Sequence, residues 1–222
     1  MPKGKHSTDA LTQRSYSVEL RATENEEGVI EGTPIVFNQK TRIVDWAGEY
    51  DEIIDRNALN NADLKDVRLF VNHDINKITL ARSKKGNENS TMSFTVDEKG
   101  LHIKAKLDTE NNSEARSLYS AVKRGDMDGM SFMFRIRGDE WKDIDKDVPL
   151  RVVKDISIVH EVSVVNFPAY AGTSVNARSD SQESEYSPLA EARKAFSQES
   201  EAQKAKLLEC EKLKYQYLCG GM

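Results

Sequence analysis

The sequence predicts an α+β fold, a mainly antiparallel β core with a few flanking helices and a C-terminal helical tail. Three observations point there. Apolar residues alternate with period two through several segments between residues 16 and 166. One segment, 111–125, carries a helical period with its own start and stop signals. Beyond residue 178 the composition turns to Ser, Glu and Gln, and then to an Ala-, Glu-, Lys- and Leu-rich run. The expected organisation is a flexible N-terminal segment (1–14), one domain (15–177), and a linker with a C-terminal helix (178–222).

Residues 1–14 are polar and unpatterned. Tyr16, Val18, Leu20 and Ala22 then share one face of a strand, and Glu27-Gly28 offers a turn. Val29 to Phe37 reads as a second strand, with Gly32 and Pro34 marking an edge or bulge. Asp55 is placed to cap a short helix carrying Ala58, Leu59 and Ala62. Arg68 to Asp74 is a short strand ending in polar residues. Met92, Phe94 and Val96 alternate, Asp97-Glu-Lys-Gly100 turns, and Leu101, Ile103, Ala105 and Leu107 alternate again, which is a hairpin.

The helix opens on Asn111 with Glu114 three residues later, a capping-box pattern. Ala115, Leu118, Tyr119 and Val122 form its apolar face, and Lys123-Arg124-Gly125 supplies the cations and glycine of a helix end. The chain then enters a strand from Met130 to Arg137 through Asp126-Met-Asp-Gly129. Residues 152–166 form the longest β-branched run, stopped by Pro168. In the tail, Leu189, Phe196, Leu207, Cys210, Leu213 and Tyr217 make a thin stripe interrupted by Gln203, suited to a partner rather than to a core.

Composition narrows the function. Of 222 residues, 38% are apolar and 31% charged, a compact core diluted by a solvated segment. A net charge of -5 gives no general attraction to nucleic acid or an acidic membrane surface. No apolar run approaches the roughly 20 residues that cross a bilayer, and no signal-type apolar region follows Met1. Cys210 and Cys219 lack metal-ligand spacing with any histidine, and the four histidines include no His-x-x-x-His pair. We therefore expect no metal and no cofactor, in a reduced cytoplasmic setting.

Three residues carry candidate chemistry. In Gly129-Met-Ser-Phe-Met-Phe-Arg-Ile-Arg137, Met130, Phe132, Phe134 and Ile136 share an apolar face. Ser131, Met133, Arg135 and Arg137 share the other, which places Ser131 on the solvent side of an anchored strand. Arg135 and Arg137 lie about 13 and 20 Å further along it at ~3.3 Å per residue. His73 ends a strand whose same-face neighbours are Val71 and Leu69, so it reads either as a base or as a half-buried core histidine. Glu161 sits within a β-branched strand, where an unpaired carboxylate costs several kcal/mol. It needs a partner, and an arginine would serve as well as a histidine. His160 faces the opposite, apolar side of that strand, and neither His102 nor His6 has an identifiable partner.

The ordered segments Glu31-Gly-Thr-Pro-Ile-Val-Phe37, Glu49-Tyr-Asp-Glu52, Leu69-Phe-Val-Asn-His-Asp74, Lys99-Gly-Leu101, Val122-Lys-Arg-Gly125, Asp128-Gly-Met-Ser-Phe132, Asp139-Glu-Trp141 and Glu161-Val-Ser-Val-Val-Asn-Phe-Pro-Ala169 resemble the prohead proteases of tailed bacteriophages. The resemblance runs from Tyr16 to Asn176. It departs at Met133, where the family often has glycine, and at Ala81-Arg82, where Gly-Arg is usual. It implies a barrel-like core similar to the herpesvirus assemblins and a serine endopeptidase triad of Ser131, His73 and Glu161. Arg135 and Arg137 become candidates for the oxyanion or substrate site. The implied partners are the major capsid protein with its scaffolding segment, the enzyme itself, and further copies in a homo-oligomer. The implied place is the immature capsid in the host bacterial cytoplasm, and the tail helix would recruit the enzyme there.

Competing expectations are a catalytically inactive protease-fold morphogenesis protein, an α/β-hydrolase esterase and a metal-dependent hydrolase. The esterase requires Gly-x-Ser-x-Gly with the histidine last in the chain, whereas here Met133 breaks the motif and His73 comes first. The metal hydrolase lacks its ligand spacing.

Overall fold

A long hairpin is the spine of the molecule. The computed structural model describes residues 11–17, 19–23, 25–84, 86–166 and 186–219. Two strands, β10 (Gly129–Lys142) and β11 (Leu150–Val165), pair antiparallel from Gly129↔Val165 to Lys142↔Leu150, with register shifts after Met133, Arg135, Ile136 and Gly138. On the outer edge of β10 lies β1 (Leu11–Ser17), antiparallel. The free edge of β11 is shared by two strands, both parallel to it: β5 (Gly48–Ile54) near its start and β6 (Asp66–Val71) near its end. β4 (Thr41–Asp45) extends β5 and β7 (Ala81–Lys84) extends β6, completing a seven-stranded sheet. A second sheet has the order β2 (Leu20–Ala22), β3 (Val29–Val36), β9 (Gly100–Lys106), β8 (Met92–Val96).

The class is α+β as expected, and most ladders are antiparallel. Neither sheet closes on itself among the described residues, and the two parallel ladders on β11 were not foreseen. Both strands come far before β11 in the chain, and its hairpin partner is β10, so neither is bound to an antiparallel return.

The core lies between the sheets. Met130, Phe132, Phe134 and Ile136 are each at most 1% exposed, and they meet Ile30, Leu101 and Ile103 of the second sheet. Each such side chain contributes about 1.5–3 kcal/mol through burial. Phe132 and Phe134, two residues apart on one strand face, stack with centroids 4.4 Å apart. Gly100 starts β9 where a Cβ would stand 1.9 Å from the Ile35 carbonyl oxygen, so no larger residue fits.

The first helix, α1 (Ser113–Arg124), keeps its foreseen apolar face but starts one residue later than the spacing implied. Asn112, not Asn111, is the cap, its Oδ1 accepting from the N–H groups of Glu114 and Ala115. Gly125 closes the helix at φ 77. The helix expected after Asp55 is instead a run of turns. Ala58, Asn60 and Ala62 donate to carbonyls three residues back, and Asp55 Oδ1 accepts from Asn57 N–H. Asn57, Asn60 and Asn61 favour such local bonds over a helical ladder.

A further difference concerns the N-terminal segment, where β1 begins at Leu11 rather than after residue 14. Val18 and Pro168 lie outside the described residues, as does most of the linker. The tail helix, α2 (Pro188–Cys219), starts on Pro188 with Ser187 accepting from Ala190 N–H. Ser187 also donates to Asp45, and Leu189 and Ala192 are buried, so the first turn is docked. Further along, Phe196, Leu207, Leu208 and Leu213 are exposed. No helix of the described residues is long and apolar enough to cross a membrane.

Candidate active site

The site is assembled where β6 ends beside β11. After Val71 the chain passes through Asn72 (φ 52) and His73 (φ 59), two consecutive left-handed residues without glycine. Such conformations cost roughly 1–2 kcal/mol each and persist only where the surroundings hold them. Here Asn72 N–H donates to the Val164 carbonyl, His73 N–H to Ser163 Oγ, and Asn72 Oδ1 accepts from Asn166 N–H. The double turn swings the imidazole back over β11.

There it meets two side chains from neighbouring strands. His73 Nδ1 bonds Glu161 Oε1, and His73 Nε2 lies 2.6 Å from Ser131 Oγ. Glu161 Oε2 accepts from the Ser163 hydroxyl at 2.6 Å. Ser163 also stands directly opposite Ser131 across the β10–β11 ladder. The three residues singled out in the sequence thus form one hydrogen-bonded row, Glu161–His73–Ser131. The partner Glu161 requires is a histidine, not an arginine. Burial is deep: the side chains of His73 and Glu161 are 11% and 4% exposed.

Ser131 departs from expectation in one respect. It is 0% exposed, not on a solvent face. The cover is β1, which adds to the edge of β10 with Ser15 opposite Ser131. The Arg14 carbonyl oxygen lies 2.9 Å from Ser131 Oγ. A serine has one proton, so this carbonyl and His73 Nε2 compete for it.

Arg14 is held from the other side as well. Its Nε and one terminal nitrogen grip Glu52 at 2.5 and 2.9 Å, with the Tyr50 hydroxyl at 3.4 Å. Glu52 also bonds Arg151 (3.2 Å), whose Nε bonds Asp139 (2.6 Å). Burial pushes the Glu52 carboxyl up, but Arg14 and Arg151 together outweigh it and hold it below the usual range. Burial likewise raises the Tyr50 hydroxyl.

Arg137 is committed elsewhere, its guanidinium paired with Asp155 at 2.7 and 2.8 Å on an exposed face. Arg135 lies opposite Leu11, four residues beyond Ser131. Neither joins the row. Met133 stands between Gln13 of β1 and Glu161 of β11. His102 Nδ1 is 2.9 Å from Thr33 Oγ1 and its Nε2 2.9 Å from Asp97, whose carboxyl it lowers to about 2. His160 is half-buried, and His6 lies outside the described residues.

The comparisons with known proteins agree on one relationship. Residues 16–187 match the model of the caudovirus prohead serine proteases. The chain belongs to that family. It is also 30% identical over 148 residues to a protein named prohead protease from Enterobacteria phage HK97. That alignment covers 66% of this chain and 58% of the relative, so the chain spans less than two thirds of the relative's length. No solved structure matches. In this member of the family, Ser131, His73 and Glu161 lie on three different strands or strand ends of one sheet.

Two groups of residues escaped the sequence reading. Ser163 shares a strand face with Glu161, and that two-residue spacing was its only signal. Arg14, in a segment read as unpatterned, had none. Glu52 and Asp139 stood in family-like segments but without a role.

Proposed function

We propose that this chain is a serine endopeptidase in which Ser131 is the nucleophile, His73 its general base and Glu161 the group that orients the imidazole. What supports the reading is the row Glu161–His73–Ser131, with Nε2 2.6 Å from the hydroxyl. His73 takes the Ser131 proton as Oγ attacks a peptide carbonyl, while Glu161 accepts from Nδ1–H and stabilises the charge that forms. The proton returns to the departing amine, and water releases the acyl-enzyme.

The substrates proposed are the scaffolding segment of the major capsid protein and the enzyme itself, cut inside the immature capsid in the host bacterial cytoplasm. The exposed part of α2 is the proposed handle that carries the enzyme into that shell. We read the hairpin β10–β11 with its flanking strands as the counterpart of the assemblin-like barrel. Co-expression with the capsid protein tests the activity: the wild-type chain should shorten it, and Ser131→Ala should leave it whole. Deletion of residues 180–222 should abolish packaging.

One observation favours a second reading, a protease-fold morphogenesis protein without activity: β1 leaves Ser131 with no exposed surface. If wild type and Ser131→Ala both leave the capsid protein intact, that reading stands.

A further inference from the structure

The strand that covers Ser131 is laid out as a peptide substrate would be. β1 runs antiparallel to β10, adding a strand to its edge, which is a common way for enzymes and binding domains to hold extended peptides. Peptide planes of a strand lie near the plane of the sheet, whereas Ser131 and His73 stand off one face of it. A nucleophile so placed approaches a neighbouring carbonyl from above its plane, the direction in which carbonyls are attacked. The carbonyl beside it is that of Arg14, whose oxygen accepts from the Ser131 hydroxyl at 2.9 Å.

Side chains alternate along a strand, so Arg14 projects to the opposite face from Ser15 and Ser131. There it enters a buried group of charges. Glu52 and Arg151 are each 1% exposed and Asp139 is 5% exposed. With Arg14 seated there are two guanidiniums and two carboxylates. Without it, one guanidinium faces two buried carboxylates, a net charge of -1 among the described residues. An unbalanced buried charge is costly, so the emptied pocket selects a cation. One oxygen, Asp139 Oδ1, is already buried with no hydrogen-bond partner among the described residues.

We infer that Glu52, backed by Arg151 and Asp139, forms the subsite for a basic side chain on the acyl side of the scissile bond, and that Arg14 is its resident occupant. The inference rests on Ser131 being the nucleophile, and it adds to that reading the class of residue cut after: arginine or lysine. Attack on such a residue breaks its carbonyl–nitrogen bond. The proton from Ser131 passes through His73 to the new amine, and one water then frees the new carboxylate. Arg14 competes with substrate from within the same chain, at an effective concentration set by its short tether.

The test uses the full-length chain, as wild type and as Arg14→Ala, which leaves the pocket empty. Substrates are quenched-fluorescence peptides with the sequence of residues 11–17, carrying arginine, lysine, citrulline, alanine or glutamate at the fourth position. A fluorophosphonate label reports Ser131 independently. We expect labelling, cleavage after arginine and lysine, and a kcat/KM for arginine about 100-fold above citrulline, as for loss of a buried charged partner. Arg14→Ala should lower KM for the basic peptides. Glu52→Gln should erase the preference while keeping the label. If Glu52→Gln fails to fold, the peptide series on wild type decides alone.

Labelling without cleavage of the arginine peptide, or equal rates with citrulline, overturns the pocket and leaves the nucleophile standing. Absence of label in wild type and Arg14→Ala alike removes the nucleophile, and the pocket with it.

Discussion

The backbone N–H of His73 donates to the hydroxyl of Ser163, 90 positions later in the chain, and that same hydroxyl donates to Glu161. One small side chain thus ties down both the left-handed turn that carries the imidazole and the carboxylate bonded to it. Ser163→Ala leaves an N–H and a carboxylate oxygen short of a partner while touching no substrate. We expect kcat to fall about 10–100-fold, the usual cost of losing an orienting partner, with KM unchanged. Ser163→Thr should restore most of the rate. A rise in KM with unchanged kcat in steady-state assays would show that the hydroxyl does not act through His73.

The Arg14–Glu52 pair sets a pH dependence of stability. The folded Glu52 carboxyl titrates below its ordinary value of 4.5. A depressed carboxyl contributes stability above the unfolded value, and that contribution disappears as pH falls through the folded one. Arg14→Gln should therefore cost about 3 kcal/mol near neutrality, as for a broken buried pair. Its deficit relative to wild type should shrink in urea titrations below pH 4.5. A deficit that stays constant with pH would mean that the guanidinium acts through packing alone.

Gly100 tests the contact between the strands β3 and β9. A methyl group there would overlap the Ile35 carbonyl oxygen at 1.9 Å, and backbone cannot yield as a side chain can. Gly100→Ala should destabilise by about 1–3 kcal/mol, the range for an overpacked interior. Equilibrium denaturation gives the answer, and an unchanged midpoint contradicts the geometry.

The start of α1 gives a milder test. Asn112→Ala removes the acceptor for two N–H groups and should cost about 1 kcal/mol, while Asn112→Asp should be nearly neutral. Asn111→Ala should matter less, since its side chain reaches back only to Asp108 rather than into the helix.

The core was legible because its signals are local. The alternation of Met130, Phe132, Phe134 and Ile136 and the face of Ala115, Leu118 and Val122 are read from neighbours in sequence. So is the Asp97–Gly100 turn. Ser131, His73 and Glu161 stood out singly, as a serine on an anchored strand, a histidine at a strand end and a carboxylate among β-branched residues. Their convergence depends on β6 running parallel to β11, a pairing that no period encodes. Arg14 was illegible for a related reason: its meaning lies in Glu52 and Tyr50, 38 and 36 positions away. Asp55 misled because one residue type serves helix caps and tight turns alike, and the asparagines after it decided for turns.

The order of the strands in the chain has a temporal consequence. Once β10 has left the ribosome, Ser131 and His73 have both been synthesised, and β6 can already pair with β7, yet its other edge has no partner until β11 follows. Glu161, Ser163 and the Val164 carbonyl all belong to that last strand, so the loop bearing His73 gains its anchors in a single late step. A nascent chain therefore lacks the Glu161–His73–Ser131 row until β11 has been made, and the row comes together only when β11 pairs with β6 and β10.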